Sequence, residues 1–156
     1  MEPIEFRLAR DTECPDLSEM MLQSKAHWDY DPEFIEACRD DLTITPDWLT
    51  VNTGFVAERG DAVVGFFGIS VKEDTAYTEH FFVAREAIGS GVGGIMWAEY
   101  VRQAIIRGAQ RIEIESEPYA EAFYQRMGAV TVGAAPSSVF PGRQLPLMEL
   151  KLSHSK

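Results

Sequence analysis

AIGSGVGGIMW (residues 87–97) places Gly89, Gly91, Gly93 and Gly94 where an apolar helical stripe begins. Glycine weakens a helix by roughly 0.5–1 kcal/mol per residue relative to alanine. The cluster therefore marks either a turn whose main chain other residues cannot follow, or a place where something approaches the backbone closely. Upstream, TAYTEHFFV (75–83) reads as a strand. Downstream, residues 92–108 carry Trp97, Val101, Ala104, Ile105 and Gly108 on one face, opposite Glu99, Arg102 and Gln103, the pattern of an amphipathic helix.

IEFRLAR (4–10) alternates as a first strand, and DLSEMMLQSKAH (16–27) predicts a helix with Leu17, Met20, Met21 and Ser24 near one face. Pro32 suits the first turn of a short helix running to about Arg39, with Asp31 as its cap. TPDW (45–48) predicts a turn or a short helical start. Strands are predicted over 52–58 and 62–70, joined at Arg59-Gly60-Asp61. RIEIE (111–115) is a further short strand, and Ala120–Met127 a helix closed by Gly128. AVTVG (129–133) and QLPLMELKL (144–152) complete the strands, Pro146 implying an edge or a bulge in the last. The order predicts a single α/β (α+β) domain over residues 1–156 with a mixed sheet.

A chain of 156 residues, 46% hydrophobic and 25% charged, buries about 68–70% of its unfolded surface without staples. Its formal net charge of −11 argues against a nucleic-acid groove and mildly favours a neutral or cationic partner. A phosphate site built from backbone amides stays compatible with that charge. The start, MEPIEFRLARDTE, lacks the basic and apolar segments of a secretory signal, and no apolar run reaches a membrane-spanning length. The expectation is a cytoplasmic protein with neither a nucleic acid nor a membrane as partner. Cys14 and Cys38 match no ligand spacing and read as unpaired, partly buried thiols. The histidines are scattered, so no metal site is expected.

Three functional readings compete for the glycines. Gly89, Gly91 and Gly94 satisfy the G-x-G-x-x-G dinucleotide pattern, with Glu113 about where a ribose-binding acid would lie. About half the chain precedes them, however, and does not form successive strand–helix–strand units. A P-loop lacks its Gly-Lys-Ser/Thr. The third is a cradle for the pyrophosphate of an acyl-CoA, made from amides at a helix N-terminus. A purely structural connector would account for one or two glycines more readily than for four.

FFVAREAIGSGVGGIMW (81–97) resembles motif A of the GNAT N-acetyltransferase superfamily, Arg/Gln-x-x-Gly-x-Gly/Ala. Gly91 and Gly93 take its glycine positions, and Ile88 stands where Arg or Gln is usual. PYAEAFYQRMGA (118–129) resembles motif B through Ala120, Phe123, Tyr124, Gly128 and Ala129, while SEPY (116–119) replaces a frequent Asn. Likeness extends over most of the chain, including SKAHWDY (24–30) and the PSSVFPGRQLPLMEL tail, as in a bacterial subgroup of the superfamily.

The resemblance implies a mostly antiparallel mixed sheet with helices on both faces and a splayed central parallel strand pair. It implies acetyl-CoA as cofactor, pantetheine along Phe81, Phe82 and Val83, and pyrophosphate on Ile88, Gly89, Ser90, Gly91, Val92, Gly93 and Gly94. Phe123 and Tyr124 would also meet the cofactor. Tyr124 would protonate the leaving thiolate; its alternative is an amphipathic core residue. Glu79 or His80 would serve as base, and strand alternation would turn only one of them to the cleft. His27, Trp28 and Tyr30 would border the acceptor or simply pack, and Arg143 would bind a substrate carboxylate, pin its loop or cross a dimer interface. The acceptor would be a small-molecule amine, with a homodimer compatible with the family. The alternative is a non-catalytic acyl-CoA-binding or interaction protein on the same scaffold.

Overall fold

A computed structural model describes residues 2–152. Its strands are β1 (Ile4–Leu8), β2 (Thr53–Arg59), β3 (Ala62–Lys72), β4 (Thr75–Val83), β5 (Arg111–Glu115), β6 (Val130–Pro136) and β7 (Gln144–Lys151). The helices are α1 (Cys14–Ala26), α2 (Pro32–Ala37), α3 (Pro46–Val51), α4 (Val92–Ile106) and α5 (Glu121–Arg126). The strands pair in the order β1-β2-β3-β4-β5-β7-β6. The sheet is mostly antiparallel, with β4 and β5 its parallel pair. Parallel neighbours need a long crossover, and α4 supplies it. The parallel register runs only from Thr75↔Arg111 to Tyr77↔Glu113, whereas β4 continues to Val83.

Contacts divide the chain into two compact units: residues up to Gly68 with Glu79–Met96, and Ile69–Thr78 with residues from Trp97 onward. In the first unit, the Phe67 ring lies 5.2 Å from Phe55, 6.3 Å from Phe6 and 6.3 Å from Phe81, centroid to centroid. Leu17, Met21, Leu22 and Ser24 of α1 are buried, while Met20 is half-buried. Gly65 leaves the surface of β3 bare where Met96 packs; a Cβ there would overlap its sulfur. Arg7 donates to Glu13 at 2.8 and 2.6 Å and to Glu58 at 2.9 Å, bonds that hold the Glu13 carboxyl down at about 2. Cys14 and Cys38 are buried thiols. Asp31 takes the extended backbone of a cap but makes no side-chain capping bond; Thr45 does cap α3, accepting from Trp48 N at 3.1 Å.

The second unit is centred on Ile112, Ile114, Met148 and Tyr100, each 2% exposed or less. The buried face of α4 differs from the expected stripe. Trp97 and Ala104 are buried as predicted, but Ile105 is 37% exposed, Gly108 is exposed, and the predicted polar-face Gln103 is buried. The helix turns to bury Tyr100, whose ring stacks on Trp97 and whose hydroxyl lies 3.0 Å from Thr78 Oγ1. Gln103 tolerates burial because its amide donates to Glu99 Oε2 at 2.8 Å. The strand with Pro146 is likewise not an edge: β7 pairs with β5 on one side and β6 on the other. The register irregularity falls instead on β6, between Thr131 and Gly133, and the Pro146 carbonyl accepts from Ser116 N at 2.8 Å.

Candidate active site

Between β4 and α4 the chain makes a single 3₁₀ turn, Arg85–Ala87, then turns again into the helix. Gly89 and Gly91 have φ of 83° and 88°, the left-handed region that a Cβ disfavours. Ser90 steadies the turn, its hydroxyl donating to the Ala87 carbonyl. A Cβ added at Gly89, Gly91 or Gly94 would meet nothing within 4 Å. Two glycines are thus demanded by backbone handedness, and the surface beside them is open. The first turn of α4 carries no acidic side chain. Its leading N–H groups have no intrahelical partner and lie at the positive end of the helix dipole, an arrangement suited to an anion. Ile88 is half-buried in extended backbone.

Phe81, Phe82 and Val83 are half-buried at the end of β4. The Val83 carbonyl accepts from Ser24 Oγ of α1 at 2.6 Å, and Ala84 N donates to Val64 O at 2.8 Å. Ser24 therefore does more than fill the helix's apolar face, which is how its spacing reads.

His80 lies among aromatic rings: Trp48 at 5.4 Å, Phe82 at 6.2 Å and Phe66 at 6.4 Å between centroids. Trp48 comes from α3 and covers Gly68, where a Cβ would collide with the indole. The Cβ of Glu79 lies 3.5 Å from where a Cβ on Gly68 would stand, which puts the start of its side chain beside the indole. Burial pushes the His80 imidazole down to about 4, against the opposing charge of Asp41. Glu79 is exposed. The placing of Trp48 beside His80 was not legible; its sequence signal was a tryptophan in a capped helical start and a glycine in FFGIS.

An unfolded histidine titrates near 6.5. Between about pH 6.5 and 4 the unfolded chain binds a proton that folded His80 refuses, so stability falls on acidification through that window and is fully present above it. The expected loss by pH 5 is on the order of 2 kcal/mol. Urea midpoints measured at pH 7.5 and 5 should converge in His80→Gln; an unchanged slope would remove His80 as the cause. The depressed Glu13 carboxyl acts in a lower window, losing its contribution only as pH falls from the ordinary carboxylate range toward 2.

SKAHWDY (24–30) begins in the last turn of α1 and leaves the helix after Ala26 as a turn. His27 is exposed and meets Trp28 edge-on at 4.9 Å. Tyr30 stacks on Phe34 at 4.5 Å, and the Lys25 ammonium lies 5.7 Å and 5.6 Å from these two rings. Tyr30 thus packs against α2.

In the second unit, Tyr124 of α5 is buried, 5% exposed, against Trp97 at 5.4 Å and Phe123 at 5.2 Å. Burial, reinforced by the charge of Glu117, raises its phenol above the ordinary value. Arg143 Nη2 lies 3.9 Å from Glu117 Oε1. Among the described residues, no group of three or more His, Cys, Asp or Glu could hold a metal, and His154 lies outside them. No helix among them is long and apolar enough to cross a membrane.

A mostly antiparallel sheet with one parallel pair, followed by a glycine turn that opens the crossover helix, defines an N-acetyltransferase-like α/β protein. The model of the acetyltransferase (GNAT) family matches residues 22–129, and the chain belongs to that family. A GCN5-related N-acetyltransferase from Rhodopseudomonas palustris has the same fold (TM-score 0.79, 21% identity, covering 97% of this chain and 98% of that one). So does the paiA N-acetyltransferase from Thermoplasma acidophilum, solved in complex with coenzyme A (TM-score 0.75, 15% identity, 96% and 99% covered). A GNAT family acetyltransferase from Elizabethkingia anophelis, with acetyl-CoA bound, is similar at TM-score 0.66 and 14% identity, with 96% and 98% covered. No curated protein matches the chain in sequence.

Proposed function

We propose that this protein is an acetyl-CoA-dependent N-acetyltransferase acting as a single domain on a primary amine of a small metabolite or amino-acid-like acceptor. The observation that carries the reading is the glycine turn at the start of α4, with two left-handed residues, open space around Gly89, Gly91 and Gly94, and no acidic side chain in the first turn. Residues Ile88–Gly94 would hold the pyrophosphate through backbone amides, a device that needs no basic patch and so suits a chain of net charge −11. Phe81, Phe82 and Val83 would run beside the pantetheine, with Phe123 as a further cofactor contact.

The reaction is direct transfer. The amine gives up a proton, its lone pair attacks the thioester carbonyl, and the C–S bond breaks to release coenzyme A. Glu79, exposed at the strand, is the base in this scheme, and Tyr124 donates its phenolic proton to the departing sulfur. His80 is neutral at physiological pH and offers the acceptor an uncharged imidazole. His27, Trp28 and Arg143 would bear on the acceptor more remotely, and Tyr30 through its packing.

Calorimetric titration separates this from the dinucleotide reading: acetyl-CoA should bind and NAD should not. Thiol release should require an added amine; tight acetyl-CoA binding without release across a broad amine screen would favour a binding protein instead. Gly91→Val forces a branched residue to φ near 88° and should weaken acetyl-CoA binding about tenfold, since left-handed backbone costs a non-glycine residue roughly 1–2 kcal/mol. Undiminished affinity would remove the turn from the cofactor site.

A further inference from the structure

Resting on the acetyltransferase reading, we infer that the acceptor is a carboxylate-free amine carrying an aromatic or bulky aliphatic body, received against Trp48, His80 and Phe82 and beside the carboxylate of Glu79. The wall is assembled from separate pieces of sequence. Thr45 caps α3 and so fixes the turn that presents Trp48. Gly68 removes the one Cβ that would lift the indole off β3, and Phe66, fully buried, forms the floor beneath His80. Trp48, His80 and Phe82 are each half-buried, so the cluster is not sealed inside the core.

An aromatic wall of this kind binds an apolar body by area and a cation by its ring faces. Glu79 is an exposed acid whose Cβ lies 3.5 Å from the Gly68 position that the indole covers. That carboxylate favours an incoming ammonium and opposes a carboxylate on the acceptor. An arylalkylamine satisfies every element. A free amino acid brings the group that this surface repels, and a polyamine leaves the rings uncovered.

The test is steady-state thiol release with acetyl-CoA and four acceptors: 2-phenylethylamine, phenylalanine, spermidine and methylamine. 2-Phenylethylamine should exceed phenylalanine in kcat/KM by at least about tenfold, a margin within reach of one repelled charge, and should also exceed spermidine. In Trp48→Leu, which keeps apolar cover over Gly68, the kcat/KM ratio of 2-phenylethylamine to methylamine should drop about tenfold. Trp48→Phe should restore part of it. Phenylalanine or spermidine used as well as 2-phenylethylamine would overturn the proposal, as would an unchanged ratio in both variants. Failure to bind acetyl-CoA, read separately by calorimetry, would instead overturn the acetyltransferase reading itself.

Discussion

Tyr124→Phe is expected to lower acceptor-dependent thiol release from acetyl-CoA about 100-fold, the scale of a lost general acid, with acetyl-CoA affinity little changed. The substitution keeps the ring against Trp97 and Phe123 and removes only the hydroxyl, so stability should shift by no more than about 1.5 kcal/mol. Because burial and Glu117 raise the phenol above its ordinary value, Tyr124 stays protonated throughout the working pH range. Wild-type rate should therefore hold on the alkaline side where an unperturbed tyrosine would begin to ionise. The decisive measurement is kcat across pH 6–10 for both proteins; full turnover in Tyr124→Phe would take Tyr124 out of the acid's role.

The largest expected effect on stability is at Tyr100. Its side chain is 0% exposed, its ring stacks on Trp97 at 5.2 Å, and its hydroxyl is bonded to Thr78. Truncation to alanine leaves a cavity and strands the Thr78 hydroxyl, and should cost about 3–5 kcal/mol. Tyr100→Phe loses the hydrogen bond alone and should cost about 1 kcal/mol. Chemical denaturation of the two variants distinguishes packing from hydrogen bonding. Equal losses would mean that the Thr78 bond, and not the ring, anchors the helix.

The elements were largely legible because their signals are local. β4 and β5 follow runs of alternating and β-branched residues bounded by turn residues, and both fall where the sequence places them. The rotation of α4 was not legible. Val101 and Ile105 read as core by hydropathy, but burial went to the larger Tyr100, whose hydroxyl depends on a threonine in another strand. Pro146 misled for a related reason: it lies in a strand paired on both sides, in register with Ala134, and the irregularity falls on the neighbouring strand, which no single-strand pattern encodes.

At the site, the glycine turn was legible as a backbone feature, and motifs A and B pointed to the family that the comparison establishes. The aromatic surroundings of His80 were not. They unite α3, β3 and β4 through a missing Cβ at Gly68, and an absence in one strand predicts no partner in another. The connector SKAHWDY shows the converse case: its chemically rich residues drew notice, yet Tyr30 is engaged by Phe34 and Lys25.

The turn before α4 has a consequence for what its glycines encode. Gly89 and Gly91 stand in open space, so side-chain bulk is not what the position refuses; it refuses L-chirality. A mirror-image D-alanine would follow the same backbone without strain. The requirement written as glycine in the sequence is, at these two positions, a requirement of hand, one that the genetic alphabet can express only by omitting the side chain.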